Sequence, residues 1–577
     1  MGNPADPADT IHVLTVGEER PDASLAIVAD ALGAVHPIVF HHLNLQVVAE
    51  GLSGEARRTH ELFLHTPQAL IDSWLCARAI SDIVPDGHIV LTSDRSGLGG
   101  VLCLSEAQRP RDRRRRVWTV AGAGHSLIDL ITHGTIDHIP MPEASAVDWE
   151  IVQYQYSERV LVLADAAVEA VKALGGSPEL AIESRGEAGG GDLPVPIRAA
   201  WAPGAVSRRN RSGDVLRAVA SLPEVSIEVG AADVVDEVWN GTSWEALAAI
   251  RTIMGDRLVR ADSPSRPPDA VIWGDPLAPP DPATRQLADQ GVPVLAARGS
   301  AAEAMIGAAL AWDDSDELAT ILRNPSAGGV RSPHRRSSGR SVVESVDRAR
   351  SVSVGVPVFG RRDHLDACVR SILAQTQPPA EILLIDDGSG SVDVAAALDR
   401  WQADSEIIRV LRQPNRGVCV ARNRMIAEMR GDAFLLIDQD DELHPQFLAA
   451  TASALRADAS LTAVATWTEF FGDYNAVEAK PPFDQRVATR ENPIVSTGAL
   501  VDMSVRDCGV AFEPDLAFIY CEDWNYWSQI VASGGRMGLV PAPLIRHRVH
   551  RASGGFQRTE LAHAIGRARA LEPFHRT

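Results

Sequence analysis

Cysteine is scarce and unpatterned in this chain of 577 residues: Cys76, Cys103, Cys368, Cys419, Cys508 and Cys521 include no C-x-x-C pair. That spacing disfavours structural zinc and a disulfide framework. No charged-then-apolar leader opens the sequence, so secretion is disfavoured and a reducing cytoplasm is the expected location. Long apolar runs are missing too. The strand-like run Ala433 to Ile437 is representative, well below the roughly 20 residues needed to cross a bilayer, so no integral membrane segment is expected. Positive charge is in deficit, with 55 Lys and Arg against 76 Asp and Glu and a formal charge of −21. Such a surface repels phosphate backbones and anionic lipid, which argues against nucleic acid as a partner unless a local basic patch intervenes. The two arginine-rich stretches, Arg109 to Arg116 and Arg331 to Arg350, are short, fall where loops are expected, and read as solvated loops.

What is present has the composition of a soluble globular protein, 45% apolar and 23% charged. The length is roughly three to four times a domain of about 150 residues, so several cores are expected. Short β-branched runs alternate with helical stretches: Ile11 to Val16 then Ala23 to Leu32, His88 to Thr92, and Arg159 to Leu163 then Ala166 to Leu174. This alternation predicts an α/β fold with parallel sheets. Glycine and proline interrupt it at Glu187 to Pro196, and it resumes at Ile197 to Trp201, Val225 to Val229, Ala270 to Trp273 and Val292 to Ala296. After Asn324 comes a stretch rich in Pro, Gly, Ser and Arg, which reads as a linker. A third region opens with the strand-like Ser351 to Phe359, a helix over Asp363 to Ala374 and a strand over Glu381 to Ile385. The expected organisation is a first lobe over 1–195, a second over 196–325, a linker over 326–349 and a third domain over 350–577.

Three carboxylate groups mark that third domain. Asp386-Asp387 follows the strand Glu381 to Ile385, Asp438-Gln439-Asp440-Asp441 follows the apolar run Phe434 to Ile437, and Glu522-Asp523 precedes a helical stretch. Singly, the first reads as a turn, the second as a solvated loop and the third as a helix start. Together they read differently, because two aspartates one residue apart at a strand end can share a hard divalent cation, and a cation there balances a diphosphate. Asn415-Arg416-Gly417 and Ala421-Arg422-Asn423 add polar and cationic groups between the first two clusters. Further on lies His550 in a basic stretch, whose imidazole could complete a metal shell or contact phosphate.

Taken in order, V-S-V-G-V-P-V-F, I-D-D-G-S, N-R-G-V-C-V-A-R-N, L-L-I-D-Q-D-D-E-L-H-P, E-D-W-N-Y-W and R-V-H-R-A-S resemble the family 2 glycosyltransferases of the GT-A fold, over about residues 350 to 555. The resemblance implies that Pro357 and Asp387 hold the base of a nucleotide-sugar, with Asn415 and Arg422 in the same pocket. It implies that Asp438 and Asp440 form a metal-binding D-x-D for Mn²⁺ or Mg²⁺, with Asp440 the direct ligand, Asp438 also on the donor side, and His550 on metal or diphosphate. Asp523 is the implied catalytic base, with Glu522 its neighbour in the acceptor site. Sugar transfer needs both a stabilised diphosphate leaving group and a carboxylate able to take a proton from an acceptor hydroxyl. One departure stands at the first strand, where the family's frequent P-T-Y-N reads Pro357-Val358-Phe359-Gly360.

The stretches Ser157 to Gly176 and Gly291 to Leu322 resemble pieces of the two-lobed, Rossmann-like GT-B glycosyltransferases of family 4. Counted back from Gly291, the two donor-contacting glutamates of that family fall on Ala278 and Gln286, and Val16-Gly17-Glu18-Glu19-Arg20 stands where a glycine-rich loop is expected. The expectation is therefore a degenerate GT-B-like module ahead of a GT-A transferase that uses a nucleotide-sugar donor and a glycan or other hydroxyl acceptor. The module is left to dock a protein partner, hold the acceptor or support an oligomer. Three alternatives remain open at this point: a nucleotidyltransferase, which has no need of the Glu522-Asp523 pair; a bifunctional enzyme with two active sites; and a non-catalytic glycan-binding or assembly protein.

Overall fold

The computed structural model describes residues 10–122 apart from 18–22, 65, 95 and 96; residues 141–181; within 198–323, the segments 198–202, 218–230, 257–261, 268–273, 282–298, 310–312 and 315–323 with 215, 254 and 300; residues 351–550 apart from 361, 489–491, 493, 495, 496, 515 and 517–520; and 568–574 apart from 570. The chain divides into two compact units. One comprises Met1–Leu45, Arg78–Gly100 and Arg115–Gly339, the other Gln46–Ala77, Val101–Arg114 and Arg340–Thr577. Two stretches that the sequence reading put in the first lobe, 46–77 and 101–114, thus group with the third domain. The expected linker over 326–349 and the break at Glu187 to Pro196 lie outside the described residues. Among the described residues no helix is long and apolar enough to cross a membrane.

The first unit holds two parallel sheets. Strands β1 (Ile11–Val16), β2 (Ile38–Leu43), β3 (Ile89–Ser93), β4 (Arg116–Ala121), β5 (Arg159–Val162) and β6 (Pro178–Leu180) lie in the order β2-β1-β3-β4-β5-β6. Strands β7 (Ala199–Ala202), β8 (Ser226–Gly230), β9 (Leu258–Ala261), β10 (Ala270–Trp273), β11 (Val294–Ala297) and β12 (Leu310–Trp312) lie in the order β9-β8-β7-β10-β11-β12. The second order reverses direction between β7 and β10, the signature of a doubly wound Rossmann-like sheet. Aliphatic strands of this kind are buried on both faces: Ile11, Val13, Ile89, Leu91 and Val160 form one core with Leu25 and Val28 of the helix Ala23–Gly33, and Ile272, Leu295 and Trp312 form another with Leu318 and Ile321 of the helix Ser315–Arg323. The turn after β3 needs glycine at Gly97, where φ is +66° and a Cβ would stand 2.6 Å from Trp149 Cβ on the helix Met141–Tyr156. Its role is close packing. Of the two positions compared with donor-site glutamates, Ala278 lies outside the described residues, and Gln286 is exposed on the helix Pro282–Asp289.

The second unit is built on a nine-stranded mixed sheet. Its strands are β13 (Val352–Val358), β14 (Glu381–Asp386), β15 (Ile408–Arg412), β16 (Ala433–Leu436), β17 (Glu442–Leu443), β18 (Leu461–Gly472), β19 (Ala476–Glu478), β20 (Ala499–Asp502) and β21 (Arg536–Val549). The order is β15-β14-β13-β16-β20-β18-β21-β17, with β19 on β18. Pairing is parallel from β15 to β16, antiparallel on both sides of β20, and parallel again between β18 and β21. Val352, Val354, Val356 and Val358 of β13 are buried with Ile382 and Leu384 of β14 and with Cys368, Val369 and Ile372 of the helix Leu365–Leu373. Each such side chain removed from water contributes about 1.5–3 kcal/mol. Ser391 starts the next helix, Val392–Asp404, by accepting from the Val394 N–H at 3.4 Å. The N-terminal stretch 46–77 meets β18 and β19 in this unit: the Val477 N–H donates to the Leu62 carbonyl at 2.8 Å, and the Phe63 ring stands edge-on to Trp467 with centroids 5.9 Å apart. Strand order reverses between β13 and β16, the kind of switch point outside whose strand carboxyl ends α/β sheets bind ligands.

Candidate active site

The end of β14 is fixed by its own acids. The Asp387 N–H donates to the Val358 carbonyl at 2.9 Å, tying the ends of β14 and β13 together. The buried Asp387 carboxylate accepts from Gln413 Nε2 at 2.7 Å and from the N–H groups of Arg416 and Gly417, each at 2.9 Å. It thereby organises the loop that leads into the helix Val418–Glu428. Gly388 has φ +74°, and a Cβ there would lie 2.5 Å from the backbone nitrogen of Asn415, so only glycine lets that loop close on the turn. Asn415 is exposed, its Oδ1 accepting from the Gly417 N–H at 3.1 Å. Pro357 pairs with Ile385 in the β13–β14 register, one position before the acidic turn begins. Pro357, Asp387 and Asn415 therefore sit at adjoining strand ends.

The four-residue stretch after β16 gives each residue a different job. Asp440 Oδ2 lies 3.0 Å from His550 Nε2, and the Asp440 carbonyl accepts from Arg548 Nε at 3.1 Å. Gln439 carries no signal in the sequence; its amide accepts from the Phe359 N–H at 3.1 Å and donates to the Phe359 carbonyl at 3.2 Å, pinning the loop after β13. Asp441 is fully buried, accepting from the Arg548 N–H at 3.0 Å beside His547 Nδ1, also at 3.0 Å. Burial pushes the Asp441 carboxyl up to about 6 against the pull of His547. For His547, burial acts downward, but Asp441 outweighs it and the imidazole is pushed up to about 9. The two form a charged pair at neutral pH. His364 was also unanticipated: its ring centroid is 6.2 Å from that of His550, and burial, Arg548 and His550 hold its pKa below the usual value.

Arg422 joins the acid after β16 to the acid that opens the helix Glu522–Ala532. It is 3% exposed, with Nη2 2.8 Å from Asp438 Oδ1 and Nη1 3.0 Å from Glu522 Oε1. Burial alone would lower its pKa, and Asp438 and Glu522 more than offset that, keeping the guanidinium charged. Expected to line the nucleotide pocket, Arg422 has both terminal nitrogens engaged by carboxylates. Its guanidinium carbon lies 5.3 Å from the centre of the Phe512 ring, which stacks on Tyr526 at 4.0 Å. Asn423 clamps the Phe512 backbone, donating to its carbonyl at 2.8 Å and accepting from its N–H at 2.9 Å. Nothing in the local sequence around Phe512 signals this shelf. Asp523 occupies the first turn of the helix Glu522–Ala532, partly exposed, and its Oδ1 accepts from the Trp524 N–H at 2.7 Å. A negative charge there is favoured by the helix dipole.

The donors near Asp440 suit a hard divalent ion of restricted kind. Among the described residues no three acidic, imidazole or thiol groups converge on one point as a ready-made cage. Asp438 and Asp440 each keep 30% of their side-chain surface exposed, and His550 keeps 23%. An open pair of carboxylates with one imidazole fits Mg²⁺ or Mn²⁺, ions that commonly take one or two protein carboxylates and complete their shell with substrate phosphate and water.

With this geometry in place, the chain can be set beside known proteins. Residues 353–505 match the model of glycosyl transferase family 2. An uncharacterized glycosyltransferase of Escherichia coli, YibD, is 35% identical over 95 residues, covering 16% of this chain and 27% of that protein. The cholesterol galactosyltransferase of Borreliella burgdorferi is 29% identical over 120 residues, covering 20% of this chain and 33% of that protein. The chain thus spans about a third or less of the length of these curated relatives. Among solved structures, residues 1–349 of S. aureus TarS in complex with UDP-GlcNAc align at 15% identity with a TM-score of 0.33, covering 39% of this chain and 71% of that one. The matched segment begins in β13, contains the acidic turns after β14 and β16, and ends just beyond β20. The second unit of this chain therefore carries a glycosyl transferase family 2 domain over residues 353–505.

Proposed function

We propose that the second unit is a metal-dependent, inverting glycosyltransferase that moves a sugar from a nucleotide-sugar to a hydroxyl acceptor, in glycan or glycoconjugate synthesis. The observation that carries this reading is the Arg422 bridge. One buried cation is bonded to Asp438, in the motif suited to a donor's metal, and to Glu522, beside the partly exposed Asp523. A donor-side and an acceptor-side carboxylate held in one network suit a displacement between two substrates, whereas nucleotidyl transfer has no need of the second.

In this reading Pro357, Asp387 and Asn415 form the nucleotide end of the donor site. Asp440 and Asp438, with His550, hold Mn²⁺ or Mg²⁺, and the bound ion supplies positive charge to the departing diphosphate. Asp523 accepts the proton of the acceptor hydroxyl as its oxygen attacks the anomeric carbon, and the carbon–oxygen bond to the diphosphate breaks on the opposite face. One displacement with one base inverts the anomeric centre. Glu522, fixed by Arg422, borders the acceptor. The first unit takes no part in this chemistry, is left to dock a partner or an acceptor, and the protein acts in the cytoplasm.

The test is a panel of nucleotide-sugars with Mn²⁺ or Mg²⁺, read first as donor hydrolysis and then by NMR of the transferred sugar. Hydrolysis that stops on chelation, with inverted product, is the expected result. Retention of configuration would rule out the single displacement, and turnover undiminished in Asp440→Ala or in excess chelator would rule out the cation.

A further inference from the structure

A row of alternating charges reaches the Asp440 corner across the neighbouring strands β18, β21 and β17. In the β18–β21 register Glu469 stands opposite Arg546 and Phe471 opposite Arg548, and in the β17–β21 register Glu442 stands opposite Arg546. Side chains alternate faces along a strand, so 469 and 471 share a face, as do 546 and 548. On it Arg546 lies 3.5 Å from Glu469 through Nε and 2.7 Å from Glu442 through Nη1. Arg548 Nη2 takes the other Glu442 oxygen at 2.5 Å, and both guanidinium groups stack on Phe471, each 4.3 Å from the ring centre. Arg548 ends the row by donating Nε to the Asp440 carbonyl and its N–H to Asp441. At the other end Glu469, 8% exposed, pairs with Arg58 of the helix Gly54–Glu61, 411 residues earlier in the chain.

We infer that Glu469 and Arg58 are positioning residues for the Asp440 metal corner, which makes the helix Gly54–Glu61 a working part of the transferase site. The inference rests on the proposed function and deepens it. Without the Glu469 charge, Arg546 has only Glu442 to pair with and competes for it with Arg548. Arg548 is then free to swing off the Asp440 carbonyl, and the aspartate that takes the cation loses its brace. Charge-assisted hydrogen bonds are the strong ones, so the row transmits more than a string of neutral contacts would. Arg58 is itself 60% exposed at its side chain, so its own share is the smaller.

The experiment uses the full chain and measures the free Mn²⁺ concentration that half-saturates the protein, read directly by electron paramagnetic resonance of unbound Mn²⁺, together with turnover at saturating Mn²⁺. Glu469→Gln should raise that concentration by about 10-fold while leaving turnover at saturating metal nearly unchanged, the behaviour of a residue that orients a metal ligand. Arg58→Ala should raise it by roughly threefold, as befits a mostly exposed ion pair, and Arg58→Lys should restore it. Arg57→Ala is the control: Arg57 lies on the same helix but donates to the carbonyls of Leu52 and Glu50, and its loss should shift nothing. If Glu469→Gln does not fold, Arg58→Ala still decides, because it alters a surface side chain. A metal-dependent wild type with unshifted Glu469→Gln and Arg58→Ala, or an equal shift in Arg57→Ala, overturns this inference alone. A wild type indifferent to metal overturns it together with the cation reading.

Discussion

Arg422 and Glu522 are 100 residues apart in the chain and 3.0 Å apart in space, while the other arm of the same guanidinium holds Asp438 at 2.8 Å. A fork that presents two donors in fixed directions can hold two carboxylates at once, which a lysine ammonium cannot reproduce. The acid after β16 and the acid opening the helix Glu522–Ala532 are thereby locked to one reference point.

That lock should be visible in both stability and rate. Arg422→Met leaves Asp438 and Glu522 facing each other without their cation and should destabilise the second unit by about 3–5 kcal/mol, read by denaturant unfolding. Arg422→Lys keeps the charge but loses the fork, so it should unfold closer to wild type and still turn over at least about 10-fold more slowly, read by donor transfer. A Met variant as stable as wild type would show that the bridge supports nothing.

Asp523→Asn separates chemistry from binding. In the proposed function the base acts on the acceptor hydroxyl while the nucleotide is held at the ends of β13 and β14. Nucleotide affinity measured by calorimetry should stay within a few-fold, and turnover should fall by roughly 10² to 10⁴. Lost nucleotide binding with normal turnover per bound donor would remove Asp523 from the role of base.

Gly388→Ala tests the acidic turn. The new Cβ meets the Asn415 nitrogen at 2.5 Å, and φ at +74° is unfavourable for alanine whatever the space. The expected penalty is about 1–3 kcal/mol, shared between unfolding and weaker nucleotide binding as the loop 413–417 is pushed off Asp387. An alanine variant with wild-type melting and wild-type nucleotide titration would show that the loop does not depend on this approach.

Stability should also fall with rising pH. The His547 imidazole sits at about 9 against an ordinary 6.5, so its stabilising share is complete below about 6.5 and is lost as pH climbs through 9. Asp441 acts in the same sense lower down: its carboxyl at about 6, against an ordinary 3.8, means the folded state favours the protonated form and loses that advantage between those two values. Thermal midpoints of the wild type should therefore drop between pH 7 and pH 10 relative to those of His547→Gln, with activity following if the Asp440 corner loosens. Parallel curves for the two proteins over that range would dismiss the pair as a pH-dependent support.

Much of the second unit could be read from short stretches of sequence. Valine alternating with small residues over 352–358 makes a buried strand wherever it lies, and Asp-Asp-Gly-Ser makes a tight turn for reasons internal to those four residues. Such signals place Asp387, Asp438, Asp440 and Asp523 at element ends. Strand bounds moved by only a residue, Ser351 to Phe359 being found as Val352–Val358. The same local rules gave the alternation that becomes two parallel six-stranded sheets.

The sequence by itself determined which residues stand at the ends of strands and helices, because hydrophobic period and turn chemistry act over a few positions. What each charged group pairs with was decided only by the tertiary structure. Asp441, in a stretch that reads as a solvated loop, is buried against His547 where β17 lies beside β21, and the Gln439 amide meets the backbone of Phe359. Arg58 and Glu469 are separated by 411 residues and by sheets that do not follow chain order, so no local pattern could join them. The physical reason is that a buried charge takes whichever partner the packing brings within about 3 Å, and packing follows strand order in space, which several sequences of crossovers could satisfy equally well.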